Sequence, residues 1–252
     1  MIIDTHIHGD SRSSEDFQSM YTSGIDKAIT CTYYPYKLRN NTCLLNHFDR
    51  IRKFDTKRAL NYGLELEVAL GIHPVNSIKD YKTVLTELEN LINENKIKII
   101  GEIGLEKNTP LEREIFEKQL QLADKTNTKV IIHTPRKRKE EILINILEII
   151  RENIKEELVV IDHVNTNIAP SLVDFKGMLG LTVQPQKMTS DEAINILNTY
   201  GFDKFLLNSD ISNKPSNPLS VVETVRKLKK IGYSEKNIDK VGFKNAKKFF
   251  KI

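Results

Sequence analysis

Strand-like and helix-like stretches alternate along this chain from end to end, and no other feature limits its fold as tightly. The strand-like runs fall at Ile2–His6, Lys27–Thr32, Glu65–Gly71, Ile97–Glu102, Lys129–His133, Leu158–His163, Leu179–Val183 and Lys204–Ser209. Between them lie amphipathic segments such as "DYKTVLTELENLINEN", "PLEREIFEKQLQLADKTN", "EEILINILEIIRENI" and "TSDEAINILNTYG". Their apolar residues recur at helical spacing, every three or four positions. Such alternation is the signature of parallel βαβ units. Eight units in 252 residues is the arithmetic of a (β/α)8 TIM barrel, an α/β fold. The closing "GFKNAKKFFKI" reads as a last helix, and shorter helical pieces are expected at Glu15–Ser23 and Ala169–Phe175. No repeat, low-complexity linker or composition shift divides residues 1–252, so a single domain is expected.

Composition narrows the setting. With 29% charged and 39% hydrophobic residues, both spread along the length, the chain reads as globular rather than disordered. No stretch approaches the roughly 18 apolar residues that span a bilayer. The opening "MIIDTH" lacks the basic and apolar regions of an export signal, so a cytoplasmic location without membrane association is expected. Cys31 and Cys43 show no metal-binding or redox spacing and read as ordinary thiols. No obligate protein partner is evident. A net charge of +4 accommodates an anionic substrate without requiring one. The run Arg136-Lys137-Arg138-Lys139, followed by Glu140 and Glu141, reads as the solvated first turn of a helix.

In a barrel of this kind the active site lies at the C-terminal ends of the strands. Strand one leads into His6 and His8, strand three into His73, strand four into Glu102, strand five into His133, strand six into His163 and strand eight into Asp210. Five of the six histidines thus stand at strand ends. His47, inside "NTCLLNHFDRIRKF", is read as structural or surface. Residues two apart on a strand share a face, so Asp4, His6 and His8 are expected on one side of strand one. Histidine with carboxylate suits zinc, manganese, iron or cobalt better than calcium. Asp4 is either a carboxylate that orients a ligand imidazole or a buried hydrogen-bonded acid with no such part.

Taken in order, "DTHIH", "GIHP", "GEIGLE", "IIHTP", "IDHVN" and "LLNSD" resemble the successive motifs of the TatD family of metal-dependent hydrolases, in the amidohydrolase-like superfamily. The resemblance runs from Asp4 to the terminal "GFKNAKKFF". It implies a binuclear centre in which His6, His8 and Asp210 hold one divalent ion, Glu102 bridges, and His133 and His163 complete the second. One or two ions are expected, with Zn, Mn, Mg or Co as candidates. Hydroxide on the metal would be the nucleophile, and Asp210 the general base beside it, with Glu102 also counted as catalytic. His73, in the family's "GxHP", would touch substrate rather than metal, and Arg136 would join it there.

The chain also departs from the family. Pro135 stands where an arginine usually follows the fifth-strand histidine, and Arg136 comes one position later. Asn208 replaces the acid of the usual "ETDAP", and Val164 and Asn165 replace a cysteine or serine and a phenylalanine. Hydrolase chemistry is therefore expected more firmly than nuclease activity. The resemblance implies a phosphodiesterase or deoxyribonuclease acting on a small phosphoester or a nucleic-acid 3′ end. The alternative is an amidase or lactonase working on a C–N or C–O bond with the same metals, although a glutamate rather than a carbamylated lysine at position 102 favours the phosphoester. No tryptophan and no array of stacking aromatics marks a nucleic-acid groove.

Overall fold

The computed structural model describes residues 1–252. Eight strands, β1 (Ile3–Ile7), β2 (Lys27–Cys31), β3 (Glu65–Leu70), β4 (Ile99–Gly104), β5 (Lys129–His133), β6 (Val159–Ile161), β7 (Met178–Thr182) and β8 (Phe205–Asn208), lie parallel in sequential order. The ring comes together between its first and last strands, where His8 N donates to the Ile211 carbonyl at 2.8 Å and Asp210 N to that of His6 at 2.9 Å. Around it run α1 (Ser14–Thr22), α2 (Asn41–Asp49), α3 (Thr56–Leu60), α4 (Tyr81–Asn93), α5 (Pro110–Thr126), α6 (Lys139–Asn153), α7 (Ser190–Tyr200), α8 (Ser220–Ile231), α9 (Glu235–Asp239) and α10 (Asn245–Phe250). This is the (β/α)8 barrel that the alternation predicts. No helix is long and apolar enough to cross a membrane.

Local chemistry starts the helices where the sequence says it should. Ser13 and Thr189 form capping boxes with Asp16 and Glu192, and Thr109 caps α5 just ahead of Pro110. The expected helix at Ala169–Phe175 is only a 3-10 turn, Ala169–Leu172. Ser171 N donates to the Ile168 carbonyl and Phe175 N to that of Leu172, i to i+3 bonds that close 3-10 rather than α turns.

Between the outward faces of the strands and the inward faces of the helices lie a large apolar cluster and a smaller one around Ile7, Phe17 and Met20. Inside the barrel, Ile3, Ile29, Ile99, Ile131, Val160 and Leu206 form the floor, sealed from below by Ala246 and Phe250 of α10. Asn245 ties that helix down by donating to the Phe202 and Phe205 carbonyls, both at 2.8 Å. Burial of Phe250 alone contributes about 1.5–3 kcal/mol.

Two bulges separate the observed strands from simple alternation. In β1 the partners run Asp4 to Ala28 and then Ile7 to Thr30, so the strand carries one extra residue. Ile3 accordingly faces the barrel floor while Ile7 joins the outer cluster around Phe17 and Met20. His6 and His8 share the inner face, but Asp4 does not share it with them, contrary to the regular-strand expectation. In β4, Gly101 pairs with Ile131 and Ile103 with Ile132, leaving Glu102 as the extra residue. Ile100 and Ile103 both point outward. Without the bulge Glu102 would point outward with Ile100; with it, the carboxylate turns into the barrel. The strand also continues to Gly104, past the end expected at Glu102.

Gly180 of β7 is needed for space. A methyl group there would lie 2.0 Å from Asp162 Oδ1 and 3.2 Å from Asn208 Nδ2. Gly180→Ala is expected to destabilise the protein by about 1–3 kcal/mol through overpacking. A urea midpoint equal to that of the parent protein would refute the close fit.

Candidate metal centre

At the C-terminal mouth, every strand-end residue named from the sequence is buried, with Arg136 alone exposed. His8 Nε2 lies 3.1 Å from Asp210 Oδ1 and 3.3 Å from His6 Nε2. Glu102 faces two ways: its Oε2 is 3.4 Å from His6 Nε2 and 3.8 Å from His8 Nε2, while its Oε1 is 2.9 Å from His133 Nδ1 and 3.0 Å from His163 Nε2. Three-donor groups form from His6, His8 and Asp210, from His6, Glu102 and His163, and from His73, Glu102 and His133. His133 and His163 both reach Glu102 but do not converge in one such group.

The outer hydrogen bonds decide which nitrogen each imidazole offers. His8 Nδ1 donates to the Cys31 carbonyl at 3.0 Å, and His6 Nδ1 to Asp162 Oδ2 at 2.5 Å. In the neutral form that ligates a metal, both rings turn an Nε2 lone pair toward the other and toward two carboxylates. Acceptors facing acceptors need a cation between them, and imidazole with carboxylate is the donor chemistry of a divalent transition metal or zinc. His163 Nδ1 donates to Thr182 Oγ1 at 2.7 Å, leaving its Nε2 for Glu102. His73 differs: its Nδ1 accepts from Val75 N at 3.1 Å, so the neutral ring carries its proton on Nε2, 3.6 Å from Glu102 Oε2. Burial holds its pKa well below the usual histidine value, and the ring stays a neutral donor.

Electrostatics agree with a site built for positive charge. Burial works to raise the pKa of Glu102, but His6 and His133 outweigh it and hold the carboxylate well below its usual range. Burial likewise opposes ionisation of Asp210, and Lys187 and His8 outweigh it. Lys187 reaches in from the loop after β7, pairs with Asp210 Oδ2, and lies 3.3 Å from both ring nitrogens of His163.

Several contributors escape a reading by strand ends. Asp162, not Asp4, orients His6; it precedes His163 in "IDHVN", where an acid next to a ligand histidine is a visible cue. Asp4 instead accepts from Ser209 N at 3.1 Å, Ser209 Oγ at 2.5 Å and His6 N at 3.3 Å, stitching β1 to the end of β8. Asn208 donates to Asp162 Oδ1 at 2.8 Å, so it supports Asp162 rather than shaping the mouth. Glu106 accepts from His133 Nε2 at 2.8 Å. Lys187 sits in an irregular loop with no periodic cue. Lys139, expected in a solvated turn, is buried; it falls on the stripe with Ile142, Leu143 and Ile146, a helical spacing that points inward. His47 is buried in α2 against Tyr34, apart from the centre.

A (β/α)8 barrel whose mouth gathers histidines and carboxylates in this way defines a metal-dependent hydrolase of the amidohydrolase-like fold. The family described as "TatD related DNase" matches residues 3–251, and the chain belongs to the TatD family. It is 39% identical to an uncharacterized metal-dependent hydrolase of Methanocaldococcus jannaschii, covering 100% of both chains. A crystal structure of a TatD-like protein from Archaeoglobus fulgidus superposes with a TM-score of 0.85 at 29% identity, over 99% of this chain and 100% of that one. The phosphotriesterase homology protein of Escherichia coli, solved with phosphate in its active site, shares the fold at 14% identity, with a TM-score of 0.69 over 99% of this chain and 98% of its own.

Proposed function

We propose that this chain is a divalent-metal-dependent phosphodiesterase, with nucleic-acid 3′ ends and nucleotide-like phosphodiesters the first substrates to try. The observation that carries the reading is the straddling of Glu102, whose two oxygens face two different histidine sets. His6, His8 and Asp210 would hold one ion with Glu102 Oε2, and His133 and His163 would hold a second with Oε1; Zn, Mn, Mg and Co all suit these ligands. Such ions would supply Lewis acidity, lowering the pKa of a water and stabilising charge at a phosphoryl centre.

The chain's own residues supply the rest. Arg136, Lys187 and Lys214 line the mouth and favour an anionic substrate. The His73 Nε2–H is placed to donate to a phosphoryl oxygen. Asp210 keeps Oδ1 toward His8 and pairs Oδ2 with Lys187. When Lys187 turns to the substrate phosphate, Oδ2 is released to take the proton of the attacking water. The Escherichia coli protein of the same fold holds a phosphate in its active site.

Protein loaded in turn with Zn, Mn, Mg and Co is expected to hydrolyse bis-p-nitrophenyl phosphate and single-stranded DNA, and to leave lactones and N-acyl amino acids intact. Turnover of the second panel alone, or of neither with all four metals, would remove the phosphodiester reading.

A further inference from the structure

Beside the metal centre a second chamber of about 100 Å³ opens between the loops that follow β5, β6 and β7. It shares Arg136, His163 and Lys187 with the mouth, so the two spaces are contiguous. By the measure of roughly 10–15 Å³ for one water, it has room for several waters, or for a phosphate group. We propose that this chamber binds a second phosphate of the substrate, next to the one being hydrolysed; the proposal rests on the phosphodiester reading above and narrows it to substrates that carry two phosphates.

The lining is chosen for an anion. Arg136, Lys139 and Lys187 line the chamber, Lys187 while paired with Asp210 Oδ2 on the mouth side, and no carboxylate lines the chamber itself. Lys139 is the decisive one. Its ammonium is buried and bonds Thr134 Oγ1 at 2.6 Å, the His163 carbonyl at 2.9 Å and the Thr134 carbonyl at 3.3 Å. None of these partners is charged, and no carboxylate lies within ion-pair distance. Buried charges in proteins are paired, because an isolated one is costly to desolvate. A phosphate in the chamber supplies the missing counter-charge. With its three protons engaged, Lys139 acts through its field, and the hydrogen bonds come from other groups.

Those groups are present and free. Arg136 makes only a 3.5 Å contact, to Gln184 Oε1, so its guanidinium fork is open for a phosphate. Asn165 uses its carbonyl oxygen to accept from Asn167 N and Ile168 N, both at 3.2 Å, and its NH2 donates to nothing in the protein. Gln186 lines the same wall. Lys187 stands between the chambers, able to touch either phosphate.

Asn165→Asp tests this without disturbing the metal centre. The carboxylate keeps the two backbone bonds of Asn165 but turns a negative oxygen, instead of NH2, into the chamber. Calorimetry on metal-loaded protein compares thymidine 3′,5′-bisphosphate with the 3′- and 5′-monophosphates. The bisphosphate is expected to bind about tenfold or more tightly than either monophosphate, in line with one added charge-assisted contact. In Asn165→Asp that ratio is expected to fall to near one, with monophosphate affinity kept. Lys137→Glu, which changes net charge twice as much on an exposed side chain outside both chambers, is expected to preserve the ratio. Equal affinities in the parent protein, an undiminished ratio in Asn165→Asp, or equal loss in Lys137→Glu would each overturn the proposal. Binding is read without turnover. A preserved ratio in a protein that cleaves no phosphodiester would therefore sink the activity reading and spare the chamber.

Discussion

Glu102→Gln is expected to lower kcat/KM on a phosphodiester about a thousandfold or more, and to reduce bound metal measured by elemental analysis. Glutamine keeps the shape of the side chain but replaces one of two equivalent anionic oxygens with an NH2. The carboxylate uses both, Oε2 toward His6 and His8 and Oε1 toward His133 and His163. Whichever way the amide turns, one side meets a donor where it needs an acceptor, and the negative charge shared by both sides is gone. Metal assistance supplies several kcal/mol of transition-state stabilisation. At 1.36 kcal/mol per factor of ten, loss of about 4 kcal/mol gives the stated factor. Full metal content with parent-like kinetics in this variant would remove Glu102 from the bridging place proposed for it.

How much of this was readable beforehand depends on the kind of contact involved. The barrel was legible because hydrophobic periodicity is a local property, and each strand and most helices announce themselves within ten residues. His6, His8, His73, His133, His163 and Asp210 were legible because the fold sends every strand end to the same mouth. The inward turn of Glu102 was not. It depends on a bulge, and a bulge is a mismatch between neighbouring strands that neither strand displays alone. The same holds for Asp4, which the bulge in β1 moves away from the histidines. Lys187 lay hidden because an irregular loop carries no period from which to infer direction. Lys139 illustrates the opposite case: its helical spacing with Ile142 and Ile146 was visible, but charge argued for solvent, and the helix face prevailed.

Asp162→Asn is expected to weaken metal binding about 10–100-fold, the usual cost of losing the partner that orients a ligand histidine. Asp162 Oδ2 accepts from His6 Nδ1, while Oδ1 accepts from His163 N and Asn208 Nδ2, both at 2.8 Å, and from Thr182 Oγ1 at 3.4 Å. An asparagine must place its NH2 on one side or the other. Facing Asn208 and His163 N, it would set donor against donor. Facing His6, it would force the proton from Nδ1 to Nε2, which occupies the lone pair aimed at His8 and Asp210. The second arrangement satisfies more groups, so the variant is expected to fold with His6 in the wrong tautomer. Chelator competition reads the affinity, and nitrogen NMR of the imidazole reads the tautomer. Asp4→Asn serves as the contrast, because Asp4 bonds Ser209 and the His6 backbone rather than an imidazole. Burial, partly offset by Ser209, lifts the Asp4 pKa to about 7. A raised carboxylate pKa gives stability that is present at low pH and lost as pH rises through that value. Asp4→Asn is thus expected to remove a fall in the urea midpoint between about pH 4 and pH 7 while leaving metal affinity unchanged. Parent-like affinity and tautomer in Asp162→Asn, or a comparable loss of affinity in Asp4→Asn, would show that His6 is not oriented by Asp162.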